Sequence, residues 1–201
     1  AGLAAAAAAA WWLTDSAPYP YAQRALLDIP LPFLTNRRLD ALLAPRLGER
    51  VLEIGPGTGL QALHVARQLG PSGRLDVVDI QQAMLDCVMR RADARDIGGI
   101  VPARADARQL PFADGSFDAA YLITALGEIP DPLAALRELR RVLRPEGRLI
   151  IGEFFDRHYV PLVTLLRYAS ASDFEPAMHL GTPIAYLARL RPTLTPAPAC
   201  R

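Results

Sequence analysis

The sequence predicts an α/β fold in which helices cover both faces of a mainly parallel sheet. Helical and extended segments alternate from residue 50 to residue 151, which is the order expected of parallel strands joined by right-handed crossovers. The extended segments at 117–123 and 148–151 are almost continuously apolar, as are strands that are buried on both faces. Two later extended runs, separated by Gly181-Thr182-Pro183, predict an antiparallel hairpin at one edge of the sheet.

Capping and turn residues set the limits of each element. Asn36 is a favourable N-cap for a helix that ends before Pro45, and Gly70-Pro71 ends the helix after the first strand. Pro132 follows Asp131 at the start of another helix, because proline is favoured at the first helical position. The predicted helices are 22–27, 37–43, 59–69, 81–95, 132–143 and 159–171, and the predicted strands are 50–54, 74–78, 100–105, 117–123, 148–151, 175–180 and 184–190.

The length of the chain indicates one main domain. Its 201 residues are enough to bury a full hydrophobic core. We divide the chain into an N-terminal leader that could act as a lid (residues 1–35), a central domain (36–191) and a disordered tail (192–201). The alanine-rich start is shorter than the ~20 apolar residues that span a bilayer, and we assign no function to it.

Charge and cysteine content argue against several classes of function. The 22 basic residues, all arginine, balance 21 acidic residues to a net charge of +1, so we expect no nucleic-acid partner. The absence of lysine excludes Schiff-base chemistry on that side chain. Cys87 and Cys200 form no C-x-x-C pair, so we expect neither a metal site nor a disulfide framework. This cysteine content fits a reducing, cytoplasmic location.

The first strand ends in an acidic residue and a glycine-rich turn. Glu53 is followed by Gly55, Gly57 and Gly59, and a helical pattern begins after them. Glycine allows positive φ angles and lets a ligand approach the backbone, while the start of a helix offers unpaired N–H groups. The carboxylate of Glu53 supplies the opposite chemistry, since it attracts an ammonium or hydroxyl group. Together these features predict a site for a nucleoside that carries a cationic tail.

The second and third strands also end in acidic residues. Asp79 is placed to accept both hydroxyl groups of a ribose, and Asp106, followed by Ala107, to accept from an exocyclic amine such as that of adenine. Ile80 and Met84 could sandwich a flat base. A single acidic residue at a strand end is commonly a turn residue or a cap. Ligands bind at the carboxyl ends of parallel strands, so we expect the three strand-end carboxylates, including the one before the glycine turn, to converge on one cavity.

These segments resemble a known enzyme family. The first motif of the class I S-adenosylmethionine-dependent methyltransferases is similar to Glu53-Ile54-Gly55-Pro56-Gly57-Thr58-Gly59. Residues 105–118 and 129–149 are similar to later motifs of the small-molecule branch of the family (type 11, ubiquinone/menaquinone-methyltransferase-like). The resemblance covers about residues 42–190 and implies a Rossmann-like seven-stranded sheet, of order 3-2-1-4-5-7-6, whose seventh strand is antiparallel.

The resemblance implies S-adenosylmethionine as the cofactor and assigns roles to matching positions. Glu53 would position the ammonium end through the loop, Asp79 would hold the ribose, and Thr124 would face the methionyl part. The expected cofactor-binding residues are Glu53, Gly55, Pro56, Gly57, Thr58, Gly59, Asp79, Ile80, Met84, Asp106, Ala107 and Thr124. The sequence departs from the family at Glu146, where glycine is usual, and at Gly127-Glu128, where many members carry two histidines.

The predicted reaction is an in-line displacement that moves the methyl group to a small-molecule or lipid-like acceptor. The protein mainly aligns the reactants, and it needs a general base only if the acceptor loses a proton. His158 and Glu128 are the candidate catalytic residues, because histidine titrates near neutral pH and Glu128 lies near the end of the fourth strand. Each has an ordinary alternative: His158 as a hydrogen-bonded surface residue, and Glu128 as a helix cap.

The leader suggests an apolar acceptor. It contains Trp11, Trp12, Tyr19, Tyr21 and Phe33, and N-terminal segments of the resembled family often form a lid over cofactor and substrate. The alternative is that these side chains simply cover the sheet. The partners we consider are a small-molecule or lipid substrate, a membrane surface and a second copy in a homodimer.

Two other functions remain open on the sequence alone. Gly57-x-Gly59-x-x-Ala62 matches the fingerprint of an NAD(P)-dependent Rossmann oxidoreductase, with Asp79 at a suitable distance. The other hypothesis is that the chain binds the cofactor without catalysis and serves as a partner of another protein. The chain would then use an arginine-rich helix face as a docking surface, although a solvated face is the simpler interpretation; that face carries Arg137, Arg140, Arg141 and Arg144.

Overall fold

The structure is a computed structural model of the chain, and it describes residues 18–29 and 33–193. Seven strands lie within these residues: β1 (Arg50–Ile54), β2 (Arg74–Asp79), β3 (Ile100–Arg104), β4 (Phe117–Ile123), β5 (Leu143–Phe154), β6 (Phe174–Thr182) and β7 (Ala185–Pro192). The α-helices are α1 (Asn36–Leu43), α2 (Ala62–Leu69), α3 (Gln82–Asp93), α4 (Pro132–Val142) and α5 (Leu162–Ser170). Short 3₁₀-helices occupy Tyr21–Asp28 and Leu126–Glu128. None of the helices in these ranges is long and apolar enough to cross a bilayer.

All seven strands belong to one sheet of order β3-β2-β1-β4-β5-β7-β6. The pairs from β3 through β5 are parallel, and β7 is antiparallel to both β5 and β6. This confirms the predicted Rossmann-like fold, its strand order and its antiparallel seventh strand. The strand order reverses between β1 and β4, which is where an open parallel sheet leaves a crevice for a ligand.

The core forms two layers because alternate strand residues face opposite sides of the sheet. Leu52 and Leu122 belong to the apolar cluster on the side of α4 and α5. Val51 and Tyr121, one position earlier in each strand, belong to the cluster formed with α1, α2 and α3. Each fully buried aliphatic side chain contributes about 1.5–3 kcal/mol, so the two layers hold the strand ends in fixed positions.

Several element boundaries differ from the predicted ones. Thr35, not Asn36, is the N-cap of α1, and its Oγ1 accepts a hydrogen bond of 3.4 Å from the Arg38 N–H. α2 begins at Ala62 rather than at Gly59, since the φ angle of Gly59 is +86° and therefore not helical. β5 begins directly after α4 and includes Glu146, which is exposed. The predicted disordered tail begins at residue 192, but β7 runs through Pro192. Residues 194–201 of that tail lie outside the described residues.

Three of the four arginines of the predicted helix face contact neighbouring residues; the fourth, Arg137, is exposed, and Arg144 lies in β5 rather than in α4. Arg141 makes ion pairs with Glu138 (2.7 Å) and Asp114 (2.8 Å) and donates to two backbone carbonyl groups. Arg144 pairs with Asp118, and Arg140 donates to a backbone carbonyl of the last described residue. These contacts fix the loop before β4, so this helix face gives little support to the docking hypothesis.

Candidate functional site

A cavity of about 380 Å³ opens at the carboxyl ends of the parallel strands. The ends of β1, β2 and β4 and the loops that follow them form its walls, and the 3₁₀-helix of the leader covers one side. Most of the predicted cofactor-binding residues line it: Gly55, Pro56, Gly57, Thr58, Asp79, Ile80, Met84, Asp106, Ala107 and Thr124. Glu53 and Gly59 do not.

The glycine turn has a left-handed backbone conformation that residues other than glycine adopt only with strain. The φ angles of Gly55 and Gly57 are +67° and +54°. A Cβ atom at Gly55 would lie 2.8 Å from the Cβ of Ala125, and one at Gly57 would lie 3.0 Å from the Cδ1 of Leu27. Both positions therefore need glycine for the conformation and for the close approach of neighbouring segments.

Asp79 presents a carboxyl group to the cavity beside an apolar slot. Its Oδ1 accepts a hydrogen bond of 2.8 Å from the Gln81 N–H. Burial raises the pKa of Asp79 to about 6, with the backbone hydrogen bonds opposing the shift. The buried Met84 and the exposed Ile80 line the cavity close to it. A carboxylate beside two aliphatic side chains suits a ribose attached to a flat base.

Asp106 lines the cavity, but Arg108 already binds its carboxylate. The Arg108 side chain bonds both carboxylate oxygen atoms, at 3.0 Å for Nε–Oδ1 and 2.7 Å for Nη2–Oδ2, and the Arg108 N–H donates to Oδ1 at 2.8 Å. These hydrogen bonds lower the pKa of Asp106. An exocyclic amine would therefore have to share this carboxylate with the guanidinium or displace it. The sequence interpretation missed this pair, although an acid and an arginine two residues apart in a turn were a visible signal.

Glu53 lies behind the cavity wall. It is 2% exposed, and its Oε2 has no hydrogen-bond partner among the described residues. Burial raises the pKa of Glu53 to about 8; the neighbouring Tyr121 hydroxyl opposes the shift and the charge of Asp79 adds to it. Of the three carboxyl groups that were predicted to converge, only those of Asp79 and Asp106 line the cavity. Glu53 is buried behind the wall, close enough for its charge to interact with that of Asp79.

Thr124 lies at the end of β4 with a strained backbone. Its φ angle is +53°, which is unusual for a β-branched residue. Its N–H donates to the Gly152 carbonyl oxygen at 2.7 Å, and its Oγ1 donates to the Ile123 carbonyl oxygen at 2.8 Å. Backbone strain of this kind costs about 1–3 kcal/mol and is concentrated at ligand sites. The turn directs the chain around the cavity that Thr124 lines.

Acidic residues lie at the end of the cavity formed by the loops after β4 and β5. Glu128 and Asp156 line the wall. Burial raises the pKa of Glu128 to about 7, with Asp156 and Asp79 adding to the shift, and its Oε2 accepts a hydrogen bond of 2.8 Å from the Tyr19 N–H. Burial likewise raises the pKa values of Asp156 and of Glu153, which lies deeper. The sequence places Glu128, Glu153 and Asp156 where strands four and five open, but only the fold shows that they are buried together.

His158 does not line the cavity. Its backbone N–H donates to the Asp156 carboxylate at 2.8 Å. A Cβ atom at Gly127 would collide with the His158 carbonyl oxygen, so this loop packs directly against the 3₁₀-helix that carries Glu128. Of the two candidate catalytic residues, the structure brings only Glu128 to the cavity wall.

Long-range hydrogen bonds hold the described part of the leader, residues 18–29, over the cavity. Gln81 Nε2 donates to the Tyr19 carbonyl oxygen at 2.8 Å. The Asp28 carboxylate accepts from Thr58 Oγ1 and from Arg91 Nη1, both at 2.7 Å, and Arg91 also donates to the Thr58 carbonyl oxygen at 3.0 Å. The glycine turn, α3 and the leader thus share one cluster of polar contacts, which we call the leader clamp (Asp28, Thr58 and Arg91). The partners are distant in sequence, so no local pattern predicted them.

Comparisons with known proteins place this chain in a family. The profile of a methyltransferase domain matches residues 52–151. Over 122 residues the chain is 40% identical to the ubiquinone/menaquinone biosynthesis C-methyltransferase UbiE of Pseudomonas putida, covering 60% of this chain and 48% of that protein. It is 41% identical over 115 residues to an uncharacterised 37.1 kDa protein in transposon TN4556 of Streptomyces fradiae, covering 57% of this chain and 32% of that protein.

The chain belongs to the class I S-adenosylmethionine-dependent methyltransferases. A solved structure of such a methyltransferase from Aquifex aeolicus has a TM-score of 0.79 and 16% identity, covering 88% of this chain and all of that one. The [4+2]-cyclase SpnF has a TM-score of 0.72 and 20% identity, covering 92% of this chain and 86% of that one. The chain spans less than half the length of the curated relatives named above, so the family fixes the fold and the cofactor but not the acceptor.

The described residues fit the cofactor of this methyltransferase family. The tightly packed glycine turn provides a backbone cradle. The Asp79 carboxyl group can accept hydrogen bonds from hydroxyl groups, and the slot beside Met84 provides an apolar wall. Glu53 is a buried carboxyl group beneath the cradle, and a cation bound above it would favour its ionised form and lower its pKa from about 8. The strand β7 between β5 and β6 also distinguishes this sheet from the 3-2-1-4-5-6 order of the dinucleotide-binding fold.

Proposed function

We propose that the chain transfers a methyl group from S-adenosylmethionine to an apolar, small-molecule or lipid-like acceptor that loses a proton in the reaction. One observation supports this most: Glu128, whose pKa is raised to about 7 by burial, lines the same cavity as the residues that fit the cofactor. A cytoplasmic location is part of the proposal.

The residues of the cofactor end have binding roles. Asp79 would accept hydrogen bonds from the ribose hydroxyl groups, and Met84 would pack on the base, while the backbone of Gly55 and Gly57 would lie against the cofactor. Asp106 would accept from the amine once Arg108 has moved. Bound S-adenosylmethionine supplies a methyl group that its sulfonium has already activated. The protein therefore has to align the acceptor and exclude water, and good alignment alone supplies ~7–11 kcal/mol.

Glu128 would act as the general base. A carboxyl group with a pKa near 7 is partly ionised at neutral pH and still basic enough to accept a proton. Burial is the main cause of the raised pKa, and the neighbouring Asp156 adds to it, since two neighbouring carboxyl groups resist double ionisation. His158 remains a second candidate only if its loop moves, because its side chain does not line the described cavity.

The apolar wall points to the class of acceptor. Leu26, Leu27, Ile29 and Leu34 line the cavity next to the predicted cofactor site. One relative is named as a C-methyltransferase of ubiquinone and menaquinone biosynthesis. A hydroxylated aromatic ring would satisfy both features, since it is apolar and becomes nucleophilic at oxygen or carbon when a base removes its hydroxyl proton.

Methyl transfer can be tested directly with labelled S-adenosylmethionine and a panel of quinols, phenols, amines and lipids. We expect labelled product from the hydroxylated aromatic compounds. Glu128→Gln should lower kcat by about 10²–10⁴ and leave the Kd of the cofactor within about twofold, whereas the exposed Glu146→Gln should change neither. Tight cofactor binding without transfer to any acceptor would instead favour the non-catalytic partner protein.

A further inference from the structure

Four of the exposed aliphatic side chains surround the opening of the cavity. Leu26 and Ile29 of the leader are 56% and 55% exposed, and Leu60 and Ile80, which follow β1 and β2, are 36% and 46% exposed. All four line the cavity, and we call them the mouth patch. Exposed aliphatic groups that cluster around an opening, unlike scattered ones, mark an interaction surface.

Hydrogen bonds hold the three segments that carry the mouth patch side by side. The leader clamp joins the leader to the glycine turn, and the bond from Gln81 to Tyr19 joins it to the segment after β2. The patch is therefore one continuous surface rather than a set of independent loops.

Three arginines that have no carboxylate partner within residues 18–29 and 33–193 flank the mouth patch. Arg104 Nε donates to the Ile80 carbonyl oxygen at 3.1 Å, and Arg90 Nη2 donates to the Tyr21 hydroxyl oxygen at 3.2 Å. Arg24 donates to the Tyr21 carbonyl oxygen and lies 4.4 Å from the centre of that ring. Among the residues that the structure describes, these three guanidinium groups bond only neutral oxygen atoms, so their charges are available to an anionic partner.

We infer that the mouth patch and its flanking arginines dock the chain on an anionic lipid surface, with the cavity opening toward the membrane. Aliphatic groups enter the interface between headgroups and acyl chains, while arginines bind the phosphate groups beside them. A second copy is a poorer occupant, because a two-fold interface places the same patch on both sides and would bring unneutralised arginines together. The inference does not depend on the identity of the methyl acceptor.

Vesicle partitioning tests the docking surface without any activity measurement. The wild-type chain is mixed with phosphatidylcholine vesicles that contain about one third phosphatidylglycerol, and with pure phosphatidylcholine vesicles. We expect clear partitioning onto the anionic vesicles, at least about tenfold weaker partitioning onto neutral ones, and a loss of binding at high salt. Absence of binding to anionic vesicles, or equal binding to both, overturns the inference.

Matched variants locate the surface. Leu26→Gln with Ile29→Gln should weaken partitioning about tenfold or more, whereas Leu47→Gln with Val163→Gln, at side chains 78% and 67% exposed and away from the cavity, should not. Leu60→Gln with Ile80→Gln repeats the test outside the leader. Arg90→Gln with Arg104→Gln should weaken partitioning onto the anionic vesicles about 25-fold, or about fivefold for each charge removed. The matched control is Arg67→Gln with Arg137→Gln.

Two alternatives to a lipid surface at the mouth patch give distinct results, and either result would overturn the inference. A wild-type dimer that Leu26→Gln with Ile29→Gln converts to monomer would make the patch a self-interface. Vesicle binding that survives all mouth variants but disappears on removal of residues 1–17 would assign it to that segment. Each variant is first checked for an unchanged Tm, so that a loss of binding reports the surface and not unfolding.

Discussion

Several buried carboxyl groups in or behind the cavity wall keep their protons to a higher pH than carboxyl groups in water do, whereas the pKa of Asp106 is lowered. Burial raises the pKa values of Asp79, Glu128 and Glu53 to about 6, 7 and 8. Each of these groups favours a bound cation, which would stabilise its ionised form. A cavity of this kind suits a cofactor that carries both an ammonium and a sulfonium group.

Glu53 also makes the stability of the empty protein depend on pH. Its folded-state pKa of about 8 lies above the ~4.3 of an unfolded glutamate. The folded state therefore holds a proton that the unfolded chain releases, and this stabilisation, full below about pH 4, is lost as the pH rises to 8. Glu53→Gln should flatten the fall in the free energy of unfolding between pH 5 and 8, measured by denaturant titration at fixed salt. Glu146→Gln is the exposed control, and identical slopes for all three proteins would refute this account of the buried carboxyl group.

In the proposed binding mode, Arg108 would compete with the cofactor amine for the Asp106 carboxylate. The backbone hydrogen bond of 2.8 Å would still orient the Asp106 carboxylate if the guanidinium were removed. Arg108→Gln should therefore tighten binding of S-adenosylhomocysteine about twofold to fivefold, since an exposed ion pair is weak, and leave the inosyl analogue, which lacks the amine, unchanged. Calorimetry measures both ligands. Weaker binding of the adenosyl compound would mean that Arg108 orients Asp106 instead.

At the scale of elements, the leader clamp decides how firmly the cavity is covered. Arg91 is 25% exposed and joins the leader to the glycine turn through Asp28 and the Thr58 carbonyl oxygen. Arg91→Ala should speed hydrogen exchange of the amides in residues 21–28 by about fivefold, because opening the leader would cost about 1 kcal/mol less. Arg137→Ala is the control, since Arg137 is exposed on α4, which packs on the other side of the sheet from α3. Equal exchange in both variants would show that the Arg91 contacts do not hold the leader.

The elements that the sequence predicted well are those with local signals. Glycine and apolar periodicity set β1 and its turn, and strand-end acids placed Asp79 and Asp106 at the cavity. The start of β5 at Leu143 was missed, because its first residues pair with β4 before a register shift that no local pattern reveals. The burial of Glu53 and the leader clamp depend on contacts between distant segments, so they required the fold.

At the scale of the whole molecule, the sheet order brings the cofactor end and the acidic end into one cavity. The ends of β1 and β2 and the turns after them carry most of the predicted cofactor-binding residues, while the loops after β4 and β5 carry Glu128 and Asp156. The structural neighbour named as a [4+2]-cyclase has the same fold, so the fold leaves the reaction open and the contents of the cavity must decide it.

The central claim is that the carboxyl ends of β1 and β2 bind the adenosyl cofactor, and calorimetric titration tests it most directly. S-adenosylmethionine should bind the wild-type chain, and Asp79→Asn should weaken binding about tenfold to a hundredfold, since hydrogen bonds to a charged group contribute ~1.5–3 kcal/mol. Asp86→Asn, an exposed change on α3, should bind as the wild type does. NAD should not bind. Binding of NAD in place of S-adenosylmethionine, or equal affinity in Asp79→Asn and Asp86→Asn, would contradict the assignment.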